Sequence, residues 1–181
     1  MDQLLTDLLA FSHISQRAIT LAPVALNDAV RNALAACAPE IGAGHARIEL
    51  TPSPFEVLAH APTLQQVLVN LLGNALKFVA GTIPRIQIRA ELRPDRVVRL
   101  WIEDNGIGIP AEFRERIFQV FQRLHITAYA GTGIGLSIVQ KGMERMGGHV
   151  GLHPSEGQGS RFWIELAQSP ASARSAAAAA S

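Results

Sequence analysis

The segment "WIEDNGIGIP", from Trp101 to Pro110, places an acid and two glycines at the end of a strand-like run. The residues that lead into it, "RVVRLWIED", alternate between apolar and polar, which is typical of a half-buried β-strand. Asp-Asn-Gly with a following proline is common turn chemistry, so an ordinary surface turn explains the segment taken alone. A second explanation is a carboxylate, Asp104, at a strand end beside glycine backbone that a ligand could approach closely.

The bulk composition indicates one globular domain. The chain has 181 residues, of which 48% are hydrophobic, so it can bury a sizeable core. Its net charge of +1, without a cluster of basic residues, argues against a nucleic-acid surface. The single cysteine, Cys37, lies in a helical pattern, and we expect a buried thiol in a reducing compartment. Neither a membrane span nor a secretion signal is visible, so we expect a cytoplasmic protein or the cytoplasmic part of a longer one.

The hydrophobic pattern predicts a mixture of helices and strands. Helices are expected at 1–19, at 28–42 with Asn27 as the cap, at about 62–80, in a short piece near "PAEFRERIFQVF", and within "GTGIGLSIVQKGMERM" up to Gly147 and Gly148. Strands are expected at "ARIEL", "FEVLA", "RIQIRAEL", "RVVRLWIED", "HVGLH" and "SRFWIEL", with "RPD" as a hairpin turn and "TLAPVAL" as an extended link. This order favours an α+β fold, a two-layer α/β sandwich in which helices cover one face of a mixed sheet.

The long predicted helix has two different faces. Asn70, Asn74 and Lys77 are spaced i, i+4 and i+7 and therefore share one stripe. The adjoining face is apolar and should pack on the sheet; it comprises Leu64, Val67, Leu68, Leu71 and Ala75. Asparagine is a weak helix former, so the stripe is either a solvated polar face or a binding surface. An amide oxygen there could ligate Mg²⁺ when phosphates supply the negative charge, and Lys77 could meet a phosphate.

A glycine-rich stretch, "AGTGIGLSIV", precedes the last predicted helix with Gly131, Gly133 and Gly135. A glycine turn that leads into a helix N-terminus offers free N–H groups to an anion. The spacing fits neither the Walker loop nor the dinucleotide-binding pattern. Taken alone it is therefore either a flexible turn or an unusual phosphate loop, and "GQGSRF" further on is typical of a hairpin loop.

Together, in their order along the chain, these motifs resemble the catalytic and ATP-binding domain of sensor histidine kinases, in the GHKL ATPase superfamily with its Bergerat fold. "LLGNALKF" resembles the asparagine box, "DNGIGI" and "GTGIGL" the two glycine boxes, and "FQVFQR" the phenylalanine box. The resemblance covers about residues 20–167. Residues 1–19 resemble the end of the second dimerisation and phosphotransfer helix, and "FQRLH" is similar to the phytochrome-like branch. We expect the alanine-rich residues 168–181 to be disordered.

The resemblance implies a binding site for ATP and Mg²⁺ with an adenine end. Asp104 would accept a hydrogen bond from the adenine amino group, and the two isoleucines of the first glycine box would line the base. Ser160 stands where threonine is usual and would join the polar network there. The residues implied at this end are Asp104, Gly106, Ile107, Gly108, Ile109 and Ser160.

The resemblance also implies a phosphate end. Asn74 would be the Mg²⁺ ligand, and Lys77 and Arg123 would contact phosphate; these three would carry the catalytic role. Residues 124–130 would form a lid over the nucleotide. The residues implied at this end are Asn70, Asn74, Lys77, Arg123, Gly131, Thr132, Gly133, Gly135 and Leu136.

The histidine that accepts the phosphoryl group is missing from the sequence. The acceptor in such kinases is typically followed by an acid, and none of the six histidines is. The resemblance therefore implies the donor half of a phosphoryl transfer. Its partners would be the acceptor helix of the full-length chain or of a dimer partner, and then the receiver domain of a response regulator.

Two other functions remain open from the sequence. One is a nucleotide-binding regulatory module, such as an anti-sigma-type serine kinase, and the other is a scaffold that no longer binds ATP. The apolar stripe at residues 4–11 predicts weak self-association as a homodimer. We expect no contact of this segment with a membrane or with nucleic acid.

Overall fold

The computed structural model describes residues 18–79, 81–114, 116–119, 132–153 and 159–170. The predicted helix at 1–19, the lid at 124–130 and most of the C-terminal tail lie outside this part. The described strands are β1 (Ala22–Ala25), β2 (Arg47–Leu50), β3 (Glu56–Ala59), β4 (Arg85–Arg93), β5 (Val97–Asp104), β6 (His149–His153) and β7 (Ser160–Ala167). The described α-helices are α1 (Leu26–Ala36), α2 (Ala38–Ala43), α3 (Ala61–Lys77) and α4 (Gly135–Arg145), with 3₁₀ turns at Pro94–Arg96 and Ala111–Phe113.

A mixed sheet forms the framework of the described chain. Its five strands have the order β2-β4-β5-β7-β6. β2 runs parallel to β4, whereas the β4–β5, β5–β7 and β6–β7 pairs are antiparallel. The predicted hairpin between β4 and β5 is present, with Asp95 in the left-handed region of its turn at a φ of 62°. The predicted α+β architecture with a mixed sheet is confirmed.

One face of the sheet packs against the helices and forms the core. The apolar side of α3 is buried as predicted, because alternate residues of β4, β5 and β7 meet it with branched and aromatic side chains. The fully or nearly fully buried members include Leu64, Leu68, Leu71, Leu72, Ile86, Ile88, Ile102, Ile138, Met143 and Ile164. Burial of about 25 cal/mol per Å² of apolar surface in this layer is the main force that holds α3 and its polar stripe in place.

Charged and aromatic side chains cover the opposite face. Trp101 is only 5% exposed, although it points away from the helices. The guanidinium groups of Arg89, Arg99 and Arg161 lie 5.1, 5.1 and 5.2 Å from its ring. These arginines pair with glutamates on neighbouring strands, as in Arg99–Glu165 at 2.7 Å. Cation–π contacts and ion pairs thus shield an indole from water where no helix covers it among the described residues.

A second, two-stranded sheet joins the two ends of the described domain. "TLAPVAL", for which the sequence predicts only an extended link, contains β1, which pairs antiparallel with β3. On its other side β3 contacts the end of the described chain, because Val57 forms a bridge with Gln168. Ser169 is fully buried, and its N–H donates to Glu56 O at 2.8 Å. Residues 168 and 169, which the sequence assigns to a disordered tail, are therefore packed against the domain beyond the predicted boundary at residue 167.

The helix predicted at 28–42 is two helices in the structure. α1 begins at Leu26, so Asn27 lies inside it and does not cap it; its Oδ1 instead accepts the N–H of Ser53 at 3.0 Å. α1 ends before Cys37, and Pro39 lies in the first turn of α2. Proline lacks the N–H that would continue α1 and would clash with the preceding turn, which explains the break.

Other predictions agree more closely with the structure. α3 ends at Lys77, three residues earlier than expected, and α4 is followed by Gly147 in a left-handed conformation at a φ of 68°. Cys37 is buried as expected, and burial, with a smaller effect of Glu40, raises the pKa of its thiol. Among the described residues, no helix is both long and apolar enough to cross a membrane.

The contact between β3 and the end of the described chain should contribute to stability. Removal of residues 168–170 loses two backbone hydrogen bonds, Gln168 N–H to Arg96 O at 2.7 Å and Ser169 N–H to Glu56 O at 2.8 Å. We expect a chain that ends at Ala167 to be less stable than one that ends at Pro170 by about 2 kcal/mol, measured by urea unfolding. Equal unfolding midpoints for the two chains would contradict this account.

Candidate functional site

The pairing of β5 with β7 determines the position of the acid in "DNGIGI". Asp104 is the last residue of β5 and Ser160 is the first of β7, and the antiparallel register places them opposite each other. Asp104 Oδ1 accepts the backbone N–H of Gly106 at 2.8 Å and that of Ser160 at 3.1 Å. The carboxylate is thus held by its own turn on one side and by the neighbouring strand on the other.

The environment of Asp104 changes its acidity. Burial raises the pKa of its carboxyl group to about 6, while the hydrogen bonds from Gly106 and Ser160 act in the opposite direction. Among the described residues no lysine or arginine forms an ion pair with it. Near pH 7 the group is therefore mainly a carboxylate that has lost part of its water and can accept a further hydrogen bond.

Glycine is required in the turn after Asp104 because other backbone approaches closely. A Cβ at Gly106 would collide with Phe78 O and lie 2.8 Å from Asp104 Oδ1. Gly159 has a φ of 104°, and a Cβ there would collide with Asp104 O. Gly108 has a φ of 75° and approaches Gly159 O. The two glycine-containing segments thus pack backbone to backbone around the carboxylate.

The end of α3 is attached to the same turn. Phe78, which directly follows the helix, accepts the N–H of Ile107 at its carbonyl oxygen, at 2.9 Å. Lys77 Nζ lies 5.0 Å from the centroid of the Phe78 ring. This contact brings the polar stripe of α3 next to the segment that carries Asp104.

The stripe also meets the start of α4. Asn70 is half-buried and donates from Nδ2 to Gln66 O at 2.8 Å, which directs its Oδ1 toward Gly135. A Cβ at Gly135 would lie 2.9 Å from that oxygen, so a larger residue at the first position of α4 would disturb Asn70. Asn74 is half-buried one turn further along α3, between Asn70 and Lys77.

The residues that precede α4 form a tight turn. Thr132 Oγ1 accepts the N–H of Ile134 at 3.4 Å, and Gly133 has a left-handed φ of 74°. Ser137 is buried and donates to Ile134 O at 2.7 Å. The N-cap residue, Ile134, makes no side-chain capping bond, and the first residue of α4, Gly135, lies beside Asn70.

The structure brings several of the predicted residues together in two groups. Asp104, Gly106, Gly108 and Ser160 form one cluster, and Asn70 contacts the start of α4. Ile107 is 36% exposed, whereas Ile109 is half-buried and packs against the core. Leu136 also packs on the core. Arg123 and Gly131 lie outside the described residues.

Sequence reasoning misses three contributors to the site. Phe78 acts through its carbonyl oxygen, which no side-chain motif can indicate. "GQGSRF" is one of the motifs that carry the resemblance, but Gly159 itself is not among the predicted site residues. Asn105 fits ordinary turn chemistry, yet its side chain joins the turn to the start of β4.

A comparison with known protein families matches residues 59–170 to the histidine kinase-, DNA gyrase B- and HSP90-like ATPases. The match includes the long helix, the Asp104 turn and the strand that begins at Ser160. The chain belongs to this ATPase family. The family predicted from the motifs is therefore confirmed.

The curated relatives are sensor kinases and phytochromes. This ATPase domain is 36% identical over 167 residues to the phytochrome-like protein Cph1 of Synechocystis sp., which covers 92% of the chain and 22% of that relative. It is 44% identical over 108 residues to the sensor histidine kinase AruS of Pseudomonas aeruginosa, which covers 57% of the chain and 11% of that relative. The chain thus spans less than a quarter of the length of these relatives.

Solved structures of histidine kinases share the fold. Full-length ShkA in complex with AMPPNP has a TM-score of 0.77 at 30% identity, covering 92% of this chain and 35% of that one. The catalytic domain of histidine kinase ThkA has a TM-score of 0.71 at 27% identity, covering 85% of this chain and 99% of that one. The chain thus shares the fold of the catalytic domains of sensor histidine kinases.

The raised pKa of Asp104 predicts how stability depends on pH. The native state binds this proton more tightly than the unfolded chain, so the stabilisation that it gives is lost as pH rises from about 4 through about 6. The side-chain amide of an Asp104→Asn variant would keep an oxygen for the two N–H donors without a buried charge.

We therefore expect Asp104→Asn to be more stable than the wild type above pH 6.5, by on the order of 2 kcal/mol. The advantage should shrink toward zero near pH 4. Urea unfolding of both proteins at several pH values measures the difference between their free energies of unfolding. The contributions of other titrating groups are the same in both proteins and cancel in this difference. A difference that does not change between pH 4 and pH 7 would rule out a raised native pKa at this site.

Proposed function

We propose that this domain binds Mg·ATP and donates the γ-phosphoryl group to a histidine outside this segment, from which it passes to an aspartate of a response regulator. The observation that carries the proposal is the position of Asp104, a half-buried carboxylate held by backbone N–H groups between two glycine-containing segments. The sensor histidine kinases among the relatives favour this function over a serine kinase or a scaffold. We also propose a cytoplasmic location, where ATP is available.

Asp104 would recognise adenine. Its pKa of about 6 leaves it charged at neutral pH, and its burial makes an additional hydrogen-bond donor favourable. The amino group of adenine is such a donor, whereas the carbonyl of inosine or guanine at that position is not. Ser160, through its N–H bond to Asp104, would keep the carboxylate directed at the base. Ile109 and the exposed Ile107 would line the base.

The polar stripe of α3 would hold the phosphates and the metal. No group of three or more His, Cys, Asp or Glu side chains in the described residues could bind a metal ion. The donor set therefore suits Mg²⁺ held mainly by phosphate oxygens, with the neutral amide of Asn74 as the protein ligand. Bound Mg²⁺ would neutralise charge on the phosphates. Asn70 would support this region.

Positive groups would surround the remaining phosphate oxygens. Lys77 and Arg123 would contact phosphate directly, as point charge and planar guanidinium respectively. The N–H groups at the start of α4 would face the phosphates with the positive end of the helix dipole. The residues proposed for this turn are Gly131, Thr132, Gly133, Gly135 and Leu136.

The chemistry that these residues would perform is positioning and charge stabilisation. An in-line phosphoryl transfer needs the nucleophile opposite the leaving oxygen. The nucleophile would be the acceptor histidine, for which this sequence offers no candidate. We propose that the acceptor helix of the full-length chain or of a dimer partner supplies it. Alone, the domain should therefore hydrolyse ATP very slowly.

The adenine contact can be tested by nucleotide binding. We expect the wild-type domain to bind Mg·ATP with micromolar to millimolar affinity by calorimetry and Asp104→Asn to lose about tenfold or more. In that variant the amide oxygen stays with the N–H groups of Gly106 and Ser160, so the amide NH₂ faces the adenine amino group as a second donor.

Glu103→Gln is a matched control for this variant. This substitution also replaces a carboxylate by an amide, but one residue earlier and on the opposite face of the sheet. There Glu103 pairs with Arg89 and Arg161. Its affinity for Mg·ATP should match that of the wild type. Undiminished binding by Asp104→Asn would remove adenine recognition from the role of Asp104.

Phosphoryl transfer requires an added acceptor. The domain should be mixed with Mg²⁺, γ-³²P-labelled ATP and a separately purified dimerisation and phosphotransfer domain of a sensor histidine kinase. We expect an acid-labile phosphate on that acceptor domain, and a loss of transfer with Asn74→Ala, because the metal would lose its protein ligand. Acid-stable phosphate on serine would instead support the serine kinase alternative.

A further inference from the structure

We propose that Asn105 is a positioning residue for adenine recognition: its side chain closes the β4–β5 ladder so that the backbone can leave the sheet and form the turn that carries Asp104. The proposal rests on the proposed role of Asp104. It assigns a function to a residue that turn chemistry alone would leave as a surface asparagine.

The hydrogen bonds of Asn105 show how the ladder ends. Ile86 and Asp104 are the last partners in the β4–β5 register, so Arg85 and Asn105 would be the next pair. The N–H of Asn105 still donates to Arg85 O, at 3.3 Å. The reciprocal bond is different, because the N–H of Arg85 donates to the side-chain Oδ1 of Asn105 at 2.8 Å. In a continued ladder the carbonyl oxygen of residue 105 would accept it.

The amide nitrogen of Asn105 attaches the turn to the segment before β4. Nδ2 donates to Ile83 O at 3.1 Å and to Thr82 Oγ1 at 3.4 Å. This segment follows Phe78, whose carbonyl oxygen accepts the N–H of Ile107. The turn is therefore bonded to residues 78–85 on both sides of Gly106: before it through the side chain and N–H of Asn105, and after it through the N–H of Ile107.

The consequence for Asp104 follows from its position between two attachments. Ser160 fixes the carboxylate from β7, while Asn105 fixes the adjacent peptide from the start of β4. Without the Asn105 side chain, the N–H of Arg85 loses its acceptor, and the turn loses its side-chain attachment to the segment before β4. The carboxylate would then sample several positions and would distinguish less sharply between bases with and without an amino group.

The effect should be local and should leave the fold intact. Asn105 is half-buried, and it borders a surface depression of about 310 Å³ together with Thr82, Ile83 and Arg85. Water can enter such an open site when the side chain is truncated, so no dry cavity forms in the core. Asn27 provides a matched control, because its Oδ1 likewise accepts one backbone N–H, that of Ser53, at 3.0 Å, in a different part of the domain.

The experiment compares the affinities for Mg·ATP and Mg·ITP by calorimetry in the wild type, Asn105→Ala, Asn105→Asp and Asn27→Ala. ITP carries a carbonyl where adenine has its amino group, so the ratio of the two dissociation constants reports adenine recognition. We expect the wild type to prefer ATP by about tenfold or more and Asn105→Ala to reduce this ratio at least about threefold. Asn105→Asp retains an oxygen for the N–H of Arg85 and should keep most of the preference, and Asn27→Ala should keep all of it.

Each outcome bears on one assignment. A wild-type domain that binds ATP and ITP equally would remove the role proposed for Asp104 and with it this inference. A wild-type preference that stays within about twofold in Asn105→Ala would overturn the inference and leave Asp104 in place. A parallel fall in the Asn27→Ala ratio would overturn it as well, because general destabilisation would explain the result. If the alanine variant does not fold, Asn105→Gly makes the same truncation with an unrestricted backbone.

Discussion

The antiparallel pairing of β5 with β7 is the constraint on which the candidate site depends. It places Asp104 opposite Ser160, so that one strand end supplies the carboxylate and the other supplies an N–H that holds it. The close approach of Gly159 to Asp104 O follows from the same register. A shift of one residue in this pairing would turn Asp104 to the outer face, among arginines and tryptophans.

Several features of the candidate site reduce the stability of the fold. A carboxylate is partly withdrawn from water, and the N-cap residue of α4 makes no side-chain capping bond. Two asparagines also lie within α3, where they favour helix formation less than its leucines and alanines. The apolar layer between α3 and the sheet offsets these costs, because its burial is extensive and independent of the polar stripe. Such local conflicts with the rules of stability are common at binding sites.

The elements with a local signal could be predicted from the sequence. The apolar face of α3, the β4–β5 hairpin and the glycines after α4 follow from periodicity and turn chemistry within short windows. The features that the sequence did not predict depend on residues far apart in the chain. β1 is a strand because β3 pairs with it, and residues 168 and 169 are held because their N–H groups donate to Arg96 O and Glu56 O. The same is true of the site. Asp104 and Asn70 stand out by their motifs, whereas the Phe78 carbonyl and the side-chain bonds of Asn105 depend on how separate segments pack.

The small sheet formed by β1, β3 and Gln168 also affects how the domain would resist a pulling force. β3 is bonded to β1 on one edge and to the end of the described chain on the other, so Val57 lies between Val24 and Gln168. Tension applied along the chain at either place loads the same strand in shear, a direction in which several hydrogen bonds must break together. The two places where the described chain enters and leaves the domain are therefore joined through β3.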